Sequence, residues 1–215
     1  MKIACLSDLH GILPPPDYFE GDCEILFLCG DILPLKIDQD VEKSRDWVKD
    51  VFTKWAYSLP FEYVVFIAGN HDKYFEVCES EIFSMFSGAS KIKYLCNSSI
   101  THIDSYGNTF KIYGTPYCIE YGSWSFMYSE EELERKYSEI PMSLDILLTH
   151  DSPLNISENR SLKDSVIRTR PRYVIHGHHH MSSHDRQDLG ASCVYNVSLV
   201  NGNYEPIFKP LYLYI

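Results

Sequence analysis

Five short apolar runs, each followed at once by residues that can bind a metal, constrain most strongly what this chain can fold into. The runs are short and apolar and lie beside turn-forming residues, so they predict buried strands. They cover Ile3–Leu6, Ile25–Leu28, Tyr63–Ala68, Ile146–Leu148 and Tyr173–Ile175. Strands that alternate with helical segments in one half of the chain, with further short strands elsewhere, predict a layered α/β fold with a mixed sheet.

Two segments predict helices, and two others predict further strands. Between the second and third runs, one helical face carries Val41, Ser44, Val48, Val51, Phe52 and Trp55. Ser129 and Glu132 have the spacing of a capping box, which predicts the start of a second helix. Residues 92–119 predict short strands joined by turns, and the tail from Cys193 to Ile215 predicts a strand pair. We expect one domain over residues 1–215.

Charge and cysteine content limit the partners and the compartment. The net charge of -11 argues against stable binding of duplex nucleic acid through its phosphates. The seven cysteines include no CxxC pair, which is typical of reduced thiols in a cytoplasmic protein. We expect neither a signal peptide nor a membrane partner, because no apolar run approaches the roughly 20 residues of a membrane span. The sequence does not predict the oligomeric state.

The polar residues after the five runs form a mixed set of oxygen and nitrogen donors. Taken singly, such residues commonly cap turns or helices. Taken together at strand ends, they suit Mn, Fe, Ni, Co or Zn. Seven candidates are too many for one ion, which favours two ions that share a carboxylate. The residues after the runs are Asp8 and His10, Asp31, the "GNHD" block at 69–72, His150 and Asp151, and the "HGHHH" block at 176–180. Which seven of them are ligands is implied by the family resemblance described next.

The order of these blocks resembles the calcineurin-like metallophosphoesterase superfamily. The matching blocks are "DLH" at 8–10, "GD" at 30–31, "GNHD" at 69–72, "TH" at 149–150 and "GHHH" at 177–180. The resemblance implies a layered αββα sandwich with mixed β-sheets, whose active site lies at the carboxyl ends of the strands. It also implies hydrolysis of phosphoric esters by a water that two divalent cations activate.

The resemblance implies a division of the donors between two ions. One ion would be held by Asp8, His10 and His180, and the other by Asn70, His150 and His178, with Asp31 bridging the pair. Mn is the first choice of metal, and Fe, Ni, Co, Zn and Mg are alternatives.

The same motif implies catalytic and substrate-binding residues. His71 is placed to protonate the leaving oxygen or to hold the phosphate, and Asp72 either orients His71 or stabilises the turn. We expect Asn70, His71 and His179 to face the substrate. Tyr117 is a further candidate for stacking on a base, together with Trp124 and Phe126, although packing of their loop onto the sheet is the commoner role for such residues.

Longer segments are similar to one branch of the superfamily, the metallophosphoesterase-domain brain proteins and their relatives. They include "LPFEYVVFIAGNHD" and "RPRYVIHGHHH". This similarity implies a metal-dependent phosphodiesterase that acts on small phosphodiesters such as cyclic nucleotides. The protein phosphatases of the superfamily have an Asp, paired with the catalytic His, where this chain has Pro34, so protein phosphatase activity is not expected.

Three alternatives stay open at this point. The chain could be a non-catalytic metal-binding interaction module on the same fold. It could be a phosphomonoesterase, because the same pair of ions can serve both kinds of ester. It could also be a zinc hydrolase that acts on amides or thioesters.

Overall fold

Two stacked β-sheets form the centre of the molecule. The computed structural model describes residues 1–88, 90–154, 159–181, 184 and 186–215. One sheet has five strands in the order β13-β1-β2-β3-β4, and the other has six in the order β11-β12-β10-β9-β6-β5, with β7 and β8 forming a small separate pair. The strands are β1 Lys2–Leu6, β2 Ile25–Cys29, β3 Tyr63–Ile67, β4 Ile92–Tyr94, β5 Ser98–Ile103, β6 Thr109–Thr115, β7 Cys118–Ile119, β8 Met127–Tyr128, β9 Ile146–Thr149, β10 Tyr173–His176, β11 Arg186–Leu189, β12 Ser192–Asn196 and β13 Leu211–Tyr214.

Side chains alternate between two buried environments along the central strands. In β1, Ile3 and Cys5 belong to the hydrophobic cluster between the sheets, whereas Ala4 and Leu6 belong to the cluster that includes the helices. Because successive side chains of a strand point to opposite faces, both faces of such a strand are buried. This explains why the predicted strands read as continuous apolar runs rather than as alternating patterns.

Helices cover the outer faces of the sheets. They are α1 Val41–Trp47, α2 Thr53–Ser58, α3 Lys73–Val77, α4 Glu79–Met85, α5 Glu130–Ser138 and α6 Arg160–Thr169. The mixed α/β architecture, with parallel and antiparallel strand pairs, confirms the predicted fold class. The five predicted strands are also confirmed, each to within one residue at either end.

A wide π turn joins α1 to α2 and changes which residues of the predicted helix are buried. The turn covers Val48–Phe52. Val48, Phe52 and Trp55 are buried as expected, but Val51 is exposed. The prediction for Val51 is wrong because it assumed an uninterrupted α-helical period, and a π turn holds an extra residue per turn.

The predicted start of α5 is confirmed, whereas the predicted strand pair in the C-terminal tail is not. Both hydrogen bonds of the Ser129–Glu132 capping box are present at the start of α5. The predicted strand pair in the tail is wrong, because β12 pairs with β10 and β11 while β13 pairs with β1 in the other sheet. Within the described residues, no helix is long and apolar enough to cross a membrane.

The inter-sheet core gives a direct test of this packing. Ile112 in β6 is fully buried between the sheets, and Ile103 in the partner strand β5 is exposed. Ile112→Ala should lower the free energy of unfolding by about 2–5 kcal/mol, because it removes buried methyl groups and leaves a cavity. Ile103→Ala is the matched control and should change it by roughly 0.5 kcal/mol at most. Urea denaturation measures both, and equal effects would contradict the assignment of the core.

Candidate functional site

Polar side chains converge where the parallel strands of both sheets end. Strands β1, β2 and β3 run parallel in one sheet, and β9 and β10 run parallel in the other. Their carboxyl ends therefore deliver the residues of the loops that follow to one edge of the sandwich. The chain is locked there by backbone hydrogen bonds, such as Asp8 N–H to the Gly30 carbonyl at 3.0 Å.

The first donor set lies after β1, β2 and β10. One oxygen or nitrogen from each of its four side chains lies within 4.8 Å of all the others. The members are Asp8, His10, Asp31 and His180. Asp8 Oδ1 is 3.5 Å from His180 Nε2, and Asp31 Oδ2 is 3.7 Å from His10 Nε2.

The second donor set lies beside the first and contains a thiol that the sequence reasoning did not single out. Cys118, His150 and His178 bring one donor atom each within 4.8 Å of one another. Asn70 adjoins them, with its Oδ1 atom 3.0 Å from His150 Nε2. The predicted donors of the two ions therefore meet in two adjacent groups, and Cys118 lies against the second.

The carboxylate of Asp31 lies between the two sets. Its Oδ1 atom is 3.3 Å from His150 Nε2, while its other oxygen faces His10. The Oδ1 atom also accepts a hydrogen bond of 2.8 Å from the backbone N–H of His71. Asp31 thus directs one oxygen at each donor set.

The loops that carry the donors adopt unusual backbone conformations. Four donor residues have positive φ angles, namely Asp8 at 56°, His10 at 44°, Asp31 at 53° and His178 at 67°. Residues other than glycine rarely adopt this left-handed region, and such outliers cluster at functional sites.

Two glycines in the sequence motifs leave room for the donors. A Cβ atom on Gly30, whose φ is +98°, would overlap Nδ1 of His150. A Cβ atom on Gly69 would overlap Oδ1 of Asp31. The glycine in each of the "GD" and "GNHD" blocks is therefore required by close packing against a neighbouring donor.

The site concentrates negative charge in a buried place. Asp8 and Asp31 are almost completely buried. Burial by itself would raise the pKa of Asp8, but the hydrogen bond from His180 and the nearby charge of His150 lower that pKa to about 2. Burial also opposes ionisation of Asp31, yet His150 holds its pKa well below the usual range. Both carboxylates are therefore anionic near neutral pH, as cation binding requires.

The pKa values of His178 and His150 shift in opposite directions. Burial lowers the pKa of His178 to about 4, which favours the neutral imidazole that binds metals. Burial acts in the same direction on His150, but the charge of Asp31 raises its pKa to about 10. A positive charge is thus strongly favoured between the carboxylates, whether it comes from an imidazolium or from a cation.

Unpartnered buried nitrogens agree with a metal site. Both ring nitrogens of His10 and the Nδ2 atom of Asn70 are buried without a hydrogen-bond partner among the described residues. Buried polar atoms normally have partners, so each exception calls for an explanation. A divalent cation beside His10, Asp8, Asp31 and His180 fits, because carboxylate and imidazole donors suit first-row metals.

His71 lies beside the donors, and its partner is a residue that the sequence analysis did not identify. Its Nδ1 atom is 2.6 Å from Asp38 Oδ2, and Asp38 is buried. Asp38 is held by a turn in which the Ile37 N–H donates to the Pro34 carbonyl at 2.9 Å. This contact leaves Nε2 of His71 as the nitrogen that can serve the site.

The expectation that Asp72 orients His71 needs correction. The Asp72 carboxylate instead accepts hydrogen bonds from the backbone N–H groups of Ile32, Leu33 and Gly69 at 2.8–3.1 Å. Burial and the charge of Asp31 raise its pKa to about 7. Of the two roles left open for Asp72, the structure supports the stabilisation of the turn, and it gives no support for a catalytic role.

Of two residues expected to contact the substrate, His179 is partly exposed and Tyr117 is buried. The side chain of His179 is partly exposed, and its Nε2 atom is 3.6 Å from Asp151 Oδ1. Tyr117 needs correction as a substrate-binding residue, because it is buried and its ring packs against Phe126 and Tyr128. The structure therefore supports the alternative role of Tyr117, which is to pack its loop onto the fold.

A family model and several known proteins match most of this chain. The model described as "Calcineurin-like phosphoesterase" matches residues 1–182. The human protein "Metallophosphoesterase domain-containing protein 1" is 28% identical, over 98% of this chain and 69% of its own length. A "UPF0046 protein" of Caenorhabditis elegans is 26% identical, over 98% of this chain and 79% of its own length.

Solved structures share the fold at low sequence identity. The protein TT1561 of Thermus thermophilus superposes with a TM-score of 0.60 at 15% identity, covering 93% of this chain and 89% of its own. The sulfate thiohydrolase SoxB of Thermus thermophilus gives a TM-score of 0.52 at 13% identity, covering 92% of this chain and 51% of its own. These two similarities concern the fold alone.

The turn held by Asp72 provides a test of its corrected role. Asp72→Ala leaves three buried N–H groups without their acceptor, so the free energy of unfolding should fall by on the order of 3 kcal/mol. Asp50→Ala is the control, because the side chain of Asp50 is 73% exposed, and it should change stability by roughly 0.5 kcal/mol at most. A variant Asp72→Ala as stable as the wild type in urea denaturation would contradict the structural role.

Proposed function

Because the chain belongs to the calcineurin-like phosphoesterase family, we propose that it is a metal-dependent phosphodiesterase acting on small phosphodiesters such as cyclic nucleotides. The observation that carries the proposal is the position of Asp31. Its two carboxylate oxygens face separate donor sets, at 3.3 Å from His150 and 3.7 Å from His10. A carboxylate shared in this way suits a pair of divalent cations.

The proposed cofactor is a pair of divalent cations, with Mn as the first choice and Fe, Ni, Co, Zn and Mg as alternatives. Asp8, His10 and His180 would hold one cation, Asn70, His150 and His178 the other, and Asp31 both. When bound, two such cations supply a water of lowered pKa and neutralise charge on the phosphoryl oxygens. The carboxylate and amide oxygens among these donors support Mn, and the imidazole nitrogens with the adjacent Cys118 thiol support the softer alternatives.

Proton transfer to the leaving oxygen is the proposed role of His71. Asp38 accepts from Nδ1 and fixes the ring, so the protonated imidazole presents its Nε2 N–H to the substrate. The arrangement follows the general logic in which a carboxylate orients a catalytic histidine. Asn70 and His179 are proposed to face the phosphoryl group and the substrate, with His179 held near Asp151.

The proposed setting follows from properties of the whole chain. All seven cysteines are free, which supports a reducing compartment such as the cytoplasm. The net charge of -11 supports a small phosphodiester rather than duplex nucleic acid as the partner. We propose that residues 1–215 act as one domain.

Hydrolysis of two model esters tests the proposal. Mn-loaded protein should cleave bis-p-nitrophenyl phosphate faster than p-nitrophenyl phosphate. His71→Ala should lower kcat for the diester by roughly 10²–10⁴-fold without loss of Mn binding, because a positioned proton donor contributes about that much.

Asp38→Asn should lower kcat less than His71→Ala does, since it keeps the side-chain shape beside His71. His102→Ala is the matched control, because His102 is buried beside Glu24 and Tyr63, away from the donors.

Each alternative predicts a different result in the same assay. Faster cleavage of the monoester would favour a phosphomonoesterase. Mn uptake without turnover of either ester would favour a non-catalytic metal-binding module or a hydrolase of amides or thioesters. Full diester turnover by His71→Ala would contradict the proposed proton donor.

A further inference from the structure

Three partly exposed aromatic side chains border the candidate metal residues and have no part in the mechanism above. Tyr121 lies against His178 with ring centroids 5.7 Å apart, and Trp124 lies against His71 at 4.3 Å. Tyr204 contacts the rings of His10 and His180 at 4.9 and 5.1 Å. Both donor sets and the proposed proton donor therefore each have an aromatic neighbour.

These three rings differ from the buried aromatic residues of the same region. Tyr117 and Phe126 are at most 9% exposed, whereas Tyr121, Trp124 and Tyr204 are 60%, 39% and 40% exposed. A ring that only fills the core would have little free surface. The three residues instead keep accessible surface beside the site, although exposing large aromatic surface is unfavourable in water.

The segment that carries Trp124 is anchored to the site. The N–H of the next residue, Ser125, donates to the Asn70 carbonyl at 3.1 Å, and the N–H of Phe126 donates to Glu76 Oε1 at 2.8 Å. Gly122 packs closely under the indole, since a Cβ atom there would lie 3.2 Å from Trp124 Cδ1. The two hydrogen bonds fix the backbone just after Trp124 beside Asn70, and the indole lies over Gly122 next to His71.

Tyr204 reaches the site from a different part of the chain through a strained turn. Its φ angle is +61°, which is costly for an aromatic residue. The side chain of Asn201 holds the turn by accepting from the N–H groups of Asn203 and Glu205 at 2.9 and 3.0 Å. Two separate segments therefore place aromatic faces at one site, and one of them does so at a conformational cost.

We infer that Tyr121, Trp124 and Tyr204 form an aromatic rim that binds a flat π-system carried by the substrate, with Trp124 stacking on the leaving group. The inference rests on the proposed function and names the substrate class as phosphoesters of planar aromatic groups, whether aryl or nucleobase. Trp124 takes the leaving group because its ring contacts His71, the proposed donor of the leaving group's proton. Aromatic faces stack on planar rings of many kinds, so the rim selects for planarity rather than for one base.

Binding of two phosphonates, which cannot be hydrolysed, tests the rim without relying on turnover. Isothermal titration calorimetry of the Mn-loaded protein should give a Kd for phenylphosphonate about tenfold lower than for methylphosphonate, equivalent to ~1.4 kcal/mol. Trp124→Ala should remove most of this preference by weakening phenylphosphonate binding alone, and Trp124→Phe should restore part of it. Gly122→Ala, which crowds the indole without removing it, should reduce the preference as well.

The control is Tyr106→Ala, because Tyr106 is 83% exposed and lies in the β5–β6 turn. This variant should keep the wild-type ratio. Equal affinity of the wild type for both phosphonates, no binding of either, or a ratio unchanged in Trp124→Ala would each overturn the aromatic rim. If the protein hydrolyses no ester yet keeps the phenyl preference, the proposed function fails while the rim survives.

Discussion

The burial of Asp31 between two sets of donor side chains is the constraint on which the rest of the site depends. A buried carboxylate is costly unless charges and hydrogen bonds compensate it. Here the compensation comes from His150, His10 and the backbone N–H of His71. These partners belong to three separate loops, so the position of one carboxylate fixes how the ends of several strands fit together.

Parallel strands bring the partners of the buried Asp31 carboxylate together. Their loops adopt strained backbone conformations to do so. Parallel strands within each sheet bring the loops after β1, β2 and β3, and those after β9 and β10, to one edge of the sandwich. Four donors then adopt left-handed backbone conformations, and Gly30 and Gly69 make room for them. Strain of this kind persists only where the surroundings determine it fully. Backbone hydrogen bonds between the loops contribute to that determination, such as Asp8 N–H to the Gly30 carbonyl at 3.0 Å and His10 N–H to the Asp31 carbonyl at 2.9 Å.

Sequence patterns predicted the parts of this arrangement that depend on local signals. Continuous apolar runs predicted the central strands, because a strand that is buried on both faces is apolar at nearly every position. The metal-competent residues after those runs predicted which side chains meet. Asp38 carries no such signal, since it is one of several acidic residues in its loop and only the folded turn brings it to His71. Likewise β13 crosses to the other sheet, a long-range pairing that no local pattern contains.

The proposed role of Asp31 as the residue shared by two cations is tested most directly by electron paramagnetic resonance of the Mn-loaded protein. Two Mn²⁺ ions about 3.5–4 Å apart, as in shared-carboxylate sites, should give the spectrum of a spin-coupled pair. Asp31→Asn should replace it with the spectrum of isolated ions, whereas the matched variant Asp38→Asn should keep the coupled signal. A wild-type spectrum of isolated ions only, or a coupled signal that survives Asp31→Asn, would contradict a site organised around Asp31.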